Sequence, residues 1–174
     1  MTQSVVGIVH TRIEAENLVT ALKSAGFVDN EISVLFPDKD GSRDFAHNNS
    51  TKAPEGAITG VGTGGVIGGT LGLLAGIGAL AIPGVGPLIA AGPIMAALSG
   101  AAVGATVLGV TGALIGMGIP EYEAKMYEGK IRDGNILIAI HGANNDRLKR
   151  AEELFKQNQA TDIHRVGESA VKKN

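Results

Sequence analysis

Four histidines, His10, His47, His141 and His164, are the side chains best suited to exchange a proton near neutral pH. His10 follows one apolar run and His141 another, Val5–Val9 and Asn135–Ile140. If those runs are the two central, parallel strands of a sheet, both rings reach one end of it, where they could hold a metal or pass a proton. The plainer reading is that each histidine is a polar residue marking a strand end. His164 falls inside a third strand and His47 in a polar linker, and neither has a partner that spacing identifies. The acidic pairs Glu14/Glu16, Glu121/Glu123 and Glu152/Glu153 lie on expected helix surfaces, whereas catalytic carboxylates need burial and a cleft. Gly60-Val-Gly62-Thr-Gly-Gly65 matches G-x-G-x-x-G, but a dinucleotide site also needs an acidic residue about 20 positions on, and the next one is Glu121. There is no G-x-x-x-x-G-K-[ST] loop and no cysteine, which removes thiolate and disulfide chemistry. No catalytic, cofactor-binding or metal-ligating residue is therefore assigned, and the chain reads as a non-enzyme.

The elements around these residues have a clear order. Thr11 to Gly26 predicts a helix, with Thr11 and Glu14 spaced as a capping box and Gly26 as the stop. Ile13, Leu18, Leu22 and Ala25 give it an apolar stripe. Glu31–Phe36 alternates and ends at Pro37-Asp, as a strand does. The C-terminal part repeats the design: strand Asn135–Ile140, a helix from Asn144 or Asn145 to about Gln157 with Leu148, Ala151, Leu154 and Phe155 inward, and strand Thr161–Val166. His10 to Ile32 and His141 to Ile163 are equally spaced. Two matching βαβ halves point to an α+β, ferredoxin-like sandwich with both helices on one face of a four-stranded sheet. Pro120–Arg132 adds a third helix, with Glu121 and Glu123 at its positive end, Lys130 and Arg132 at its negative end, and Tyr122 and Met126, with Tyr127 beside them, expected to face inward. The organisation expected is a first half over 1–39, a linker over 40–55, a helical hairpin over 56–119 and a second half over 120–174.

The hairpin carries the most unusual pattern. From Gly56 to Pro120 there is no Asp, Glu, Lys, Arg, His or aromatic residue. Gly56, Gly60, Gly64, Gly68, Gly72 and Gly76 stand four apart, the spacing that lets helix backbones approach closely. Ala57–Ile82 is the first helix candidate, Pro83–Pro87 the turn, and the stretch from Pro87 or Pro93 to Gly118 the second. From Gly56 to Gly76 a helix rises roughly 30 Å, the thickness of a hydrocarbon core. Each i+4 step turns about 400°, so the glycine stripe drifts about 40° per step and about 200° in all. One neighbour presenting Gly92, Ala96, Gly100, Gly104, Gly112 and Gly116 covers part of it. The remainder calls for contacts between copies.

Two settings suit this hairpin. In one it spans the inner membrane, with membrane lipid as a partner and both charged flanks cytoplasmic. In the other it packs inside a soluble cytoplasmic homo-oligomer whose apolar interior holds lipid or another hydrophobic ligand. Gly and Ala insert weakly, and no Trp or Tyr belt marks the turn. The N-terminus lacks a basic segment followed by a long apolar one, so no secretory signal is read. A net charge of -2 with no basic patch argues against nucleic acid.

The stretch Gly118-Ile-Pro-Glu-Tyr-Glu-Ala-Lys-Met-Tyr-Glu-Gly-Lys-Ile-Arg-Asp-Gly-Asn-Ile-Leu-Ile-Ala-Ile-His141, with the later Arg-Ala-Glu-Glu-Leu-Phe and Thr-Asp-Ile, resembles the bacterial general stress protein family. Val6-Gly-Ile-Val-His-Thr-Arg-Ile-Glu-Ala-Glu16 fits the same pattern. The resemblance covers nearly the whole chain except the linker. It implies a heat- or low-temperature-induced protein, an α/β domain with a Gly/Ala-rich insertion, and no established catalytic residue or cofactor. A looser likeness in layout exists to a membrane subunit of a quinol-oxidising respiratory complex. The function expected is structural: a stress-associated homo-oligomer joined through its glycine zipper, with an accessory respiratory role as a further alternative.

Overall fold

The strand-helix-strand halves form from the local signals that announce them. The computed structural model describes residues 3–38, 78–82, 85–104, 109–142 and 144–167. Strand β1 (Gln3–Val9) leads into helix α1 (Arg12–Ser24). The Thr11 side chain accepts from the Glu14 backbone N–H, and the Glu14 carboxylate accepts from His10 and Thr11, closing the capping box. The buried stripe of α1 is Ala15, Leu18, Val19 and Leu22. Ile13 is 71% exposed and Ala25 is also exposed, against expectation. At 100° per residue Ile13 lies about 140° round from Leu18 and off the buried face. A 3-10 turn (Asp29–Glu31) then enters β2 (Ile32–Pro37).

The two halves interleave in one antiparallel sheet. It runs β2-β5-β1-β6 across its four flank strands, β5 being Ile136–His141 and β6 Thr161–Gly167. β1 and β2 run the same way with β5 between them, and β5 and β6 have β1 between them. Every neighbouring pair is therefore antiparallel. This corrects the parallel arrangement expected of the central strands.

The charge-free middle departs furthest from its expected form. Gly56 to Gly76 lie outside the described residues. The expected first helix is corrected at its end, since Gly78–Ile82 is strand β3. The expected second helix is corrected at its start, since Gly86–Ala91 is strand β4. The expected turn over Pro83–Pro87 is corrected too: Gly86 and Pro87 open β4, and 83–84 lie outside the described residues. The reason lies in β2: without a neighbour its outer row of N–H and C=O groups would be a sheet edge. β4 pairs with it from Val34↔Ala91 to Pro37↔Leu88, and the Asp38 N–H donates to the Pro87 carbonyl at 2.9 Å. The full order is thus β3-β4-β2-β5-β1-β6. Gly92 turns the chain out of β4 at φ +77, and a Cβ there would lie 1.9 Å from the Ile32 carbonyl oxygen. Its close contact is to a strand backbone, not the helix partner expected of it.

The chain then forms two helices rather than one: α2 (Pro93–Gly104) and α3 (Val110–Gly116). Helix α4 (Glu121–Arg132) precedes β5, and α5 (Asn145–Gln157) precedes β6. Asn144 caps α5, accepting from the Arg147 N–H at 2.9 Å. α1 and α5 cover one face of the sheet through Leu18, Leu22, Leu148 and Phe155. α2, α3 and α4 cover the other through Ile94, Leu114, Tyr127 and Ile131, over Val6, Ile8, Leu35 and Leu88. The expected sandwich had helices on one face only. The strands show why both are covered: Val5, Val6, Ile8 and Val9, and Leu137 through Ile140, are all buried, so each face is apolar. On α4 the inward tyrosine is Tyr127, fully buried, while Tyr122 is 83% exposed. Among the described residues no helix is long and apolar enough to cross a membrane. α2, at 12 residues, rises about 18 Å.

Candidate functional site

The antiparallel register separates the two histidines that a parallel sheet would have joined. Ser4 pairs with His141 and Val9 with Ile136, so His10 and His141 lie at opposite ends of β1 and β5. Each belongs to its own polar cluster.

His141 sits between two serines. Its Nδ1 is 3.1 Å from Ser4 Oγ and its Nε2 is 2.8 Å from Ser33 Oγ. Burial pushes its pKa down to about 4, so the ring is neutral at pH 7. A serine oxygen at hydrogen-bond distance from a neutral imidazole is the geometry of an activated nucleophile. Access decides against that use: Ser33 is 0% exposed and Ser4 5%. Ser33 Oγ also accepts the Ile94 N–H at 3.0 Å, satisfying a free donor in the first turn of α2. The trio ties β1, β2 and β5 to the start of α2.

The opposite end holds a second network. His10 Nδ1 meets Asn135 Oδ1 at 2.8 Å, and Asn135 Nδ2 donates to the Lys130 carbonyl at 2.9 Å. Lys130 Nζ pairs with Asp162 Oδ2 at 2.8 Å, and the bond from Lys130 holds that carboxyl below its ordinary range. Tyr127 Oη donates to the Asp162 carbonyl at 2.7 Å. A phenol has one hydrogen, so at 2.8 Å it accepts from His164 Nδ1, and the network assigns a proton to that nitrogen. Burial first, then the charges of Glu123 and Asp162, push the Tyr127 phenol well above its ordinary range. It therefore remains a neutral donor and supplies no base. Asp162 stands at φ +49, where β6 slips register against β1 between Val6 and Ile8. Spacing alone did not reveal this cluster: Asp162 and His164, two apart on β6, share a face, but that α4 lies over that face is set by the tertiary fold. Among the described residues no group of three or more His, Asp or Glu is placed to hold a metal.

The glycines expected to pack helices are dispersed. Gly100 and Gly104 lie in α2, and Gly112 and Gly116 in α3. A Cβ at Gly116 would meet nothing within 4 Å among the described residues. A cleft of about 180 Å³ is lined by Glu14, Asn17, Gln157, Asn158 and Gln159, side chains unsuited to an apolar ligand. The two sheet edges differ more usefully. β6 carries Asp162, His164 and Arg165, with Arg165 held by Glu152 at 3.1 Å and by Asn145 at 2.6 Å. β3, Gly-Ala-Leu-Ala-Ile, has no charge at all.

Compared with known proteins, the chain matches no family model, and neither a curated protein nor a solved structure is similar to it.

Proposed function

We propose that the protein is a non-enzymatic structural protein that self-associates through its charge-free stretch. The observation that carries this reading is the division of that stretch. Residues 85–119 are largely spent on one domain's own sheet and second face, through Leu88, Ile94, Val110 and Leu114. Residues 56–77, also uncharged and bearing the six-glycine series, lead directly into the charge-free strand β3. As a helix, that series would form a stripe drifting about 200°, more than one neighbouring helix covers, which favours contacts between copies.

The flank halves are, in this reading, a ferredoxin-like sandwich. The order β2-β5-β1-β6, its antiparallel pairings and the placement of α1 and α5 on one face support it. The stress context rests on the resemblance to the bacterial general stress proteins. The membrane reading rests on length: as a helix, Gly56 to Gly76 would rise roughly 30 Å, the thickness of a hydrocarbon core. The second reading, a soluble assembly with an apolar interior, is favoured by the packing of Leu88 to Leu114 in a protein core. Purification of the native protein without detergent, with measurement of its mass and bound lipid, separates them. A large soluble homo-oligomer supports the second reading, and recovery only from membranes supports the first. A soluble monomer free of lipid rejects both.

A further inference from the structure

The sheet ends in two edges that are protected very differently. Natural edge strands are blunted by charge, by bulges or by cover, because an open row of N–H and C=O groups recruits another strand. β6 has two of these defences: the left-handed Asp162 with its register slip, and a charged sequence. β3 has neither. Among the described residues it pairs with β4 alone, in unbroken register from Gly78↔Ala90 to Ile82↔Gly86.

We infer that the outer edge of β3 pairs with β3 of a second copy, antiparallel across a two-fold axis, joining two sheets into one. This rests on the self-association proposed above and names its surface. The occupant follows by elimination. Pairing β3 with the β6 of another copy is head-to-tail, propagates into filaments, and is opposed by the bulge and charges of β6. Self-pairing closes after two copies. A strand of five residues pairing with itself about Leu80 sets Ala79 against Ala81 and Gly78 against Ile82, with no charge opposed. A charged partner would find nothing on this strand to answer it. In sequence the uncharged run from Gly56 leads straight into β3, so the strand named here directly follows the stretch proposed above to self-associate.

The test uses the full-length chain, with amide exchange read residue by residue over 78–82 across a dilution series. In the dimer every β3 amide is slow, and on dissociation the alternate, outward amides become fast. Adjacent amides on a strand point opposite ways, so one of Ala79→Pro and Leu80→Pro removes only an outward N–H. That variant keeps its circular dichroism and its mass falls by half. If both prolines unfold the protein, the exchange pattern of the unmodified chain decides. Outward amides that exchange fast at every concentration overturn the inference, as does slow exchange in a species of monomer mass, which would mean that the chain covers its own edge. Gly64→Leu with Gly68→Leu separates the two proposals. A mass lowered by the folded proline variant but not by the leucines leaves the edge contact standing and rejects the zipper, and the reverse rejects the edge contact.

Discussion

The sheet's two faces are secured by different kinds of residue. Over the first lie α1 and α5, announced by their caps and pinned by charge. Arg147 grips Glu31 at 2.6 and 2.9 Å, donates to the Gly26 carbonyl, and lies 4.6 Å over the Phe27 ring. That hydrogen bond from Arg147 is the main reason Glu31 is held below the usual carboxylate range. Over the second face α4 is joined by residues of the charge-free stretch. They are held by packing, by the neutral Ser4–His141–Ser33 trio, and by Glu128, which accepts from the Thr111 N–H and hydroxyl at 2.9 and 2.6 Å. The difference teaches that the lack of charge has two uses here. Among the described residues of 85–119 it is what a second-face cover requires, and for 56–77 the proposal is self-association.

The largest expected effect tests whether the second face is true core. Leu114→Ala should destabilise the domain by about 2–5 kcal/mol, and Leu18→Ala on the first face should cost as much. Both are fully buried. Urea unfolding followed by circular dichroism measures this, and a silent Leu114→Ala would make the second face peripheral. Next is pH. The folded pKa of His141, about 4, lies below its ordinary 6.5. Above pH 6.5 the ring is neutral folded or unfolded, and the full stability is present. Between about 6.5 and 4 the unfolded chain binds the proton first, so stability falls, by up to about 3 kcal/mol at completion. His141→Gln should flatten that part of the stability profile.

Smaller effects contrast the two faces in detail. Arg147→Lys keeps the charge but loses the paired contact and the ring stacking, and should cost about 1 kcal/mol in the same urea assay. Its Glu31 partner is only part-buried, and a larger loss would mean that the first face depends on this pin more than on its packing. Smallest of all, Tyr122→Ser should change stability by less than about 0.5 kcal/mol, the exposed-site range. A loss of several times that would require a partner on the exposed side of α4.

How much of this the sequence shows depends on whether local chemistry or register sets the position. The capping box at Thr11 and Glu14, the Asn144 cap and the stripe Leu148, Ala151, Leu154 and Phe155 are local, and they place α1 and α5 correctly. Ile13 misleads because an apolar residue beside a cap need not share the buried face. β3 and β4 are hidden because Gly-Ala-Leu-Ala-Ile and Leu-Ile-Ala-Ala lack any period, and short apolar runs suit strand and helix alike. What decides is distant, namely the open side of β2, and Gly92, whose contact with Ile32 no spacing reveals. The two histidine clusters fail to be legible for the same cause: an antiparallel register parts His10 from His141, and the packing of α4 over β6 brings Tyr127 to His164.

The mass of the native full-length protein with and without Gly64→Leu and Gly68→Leu bears most directly on self-association through 56–77. Light scattering or native mass spectrometry should find a homo-oligomer that the two leucines reduce to smaller species while the domain's circular dichroism is kept. An unchanged mass in a folded double variant would contradict the account.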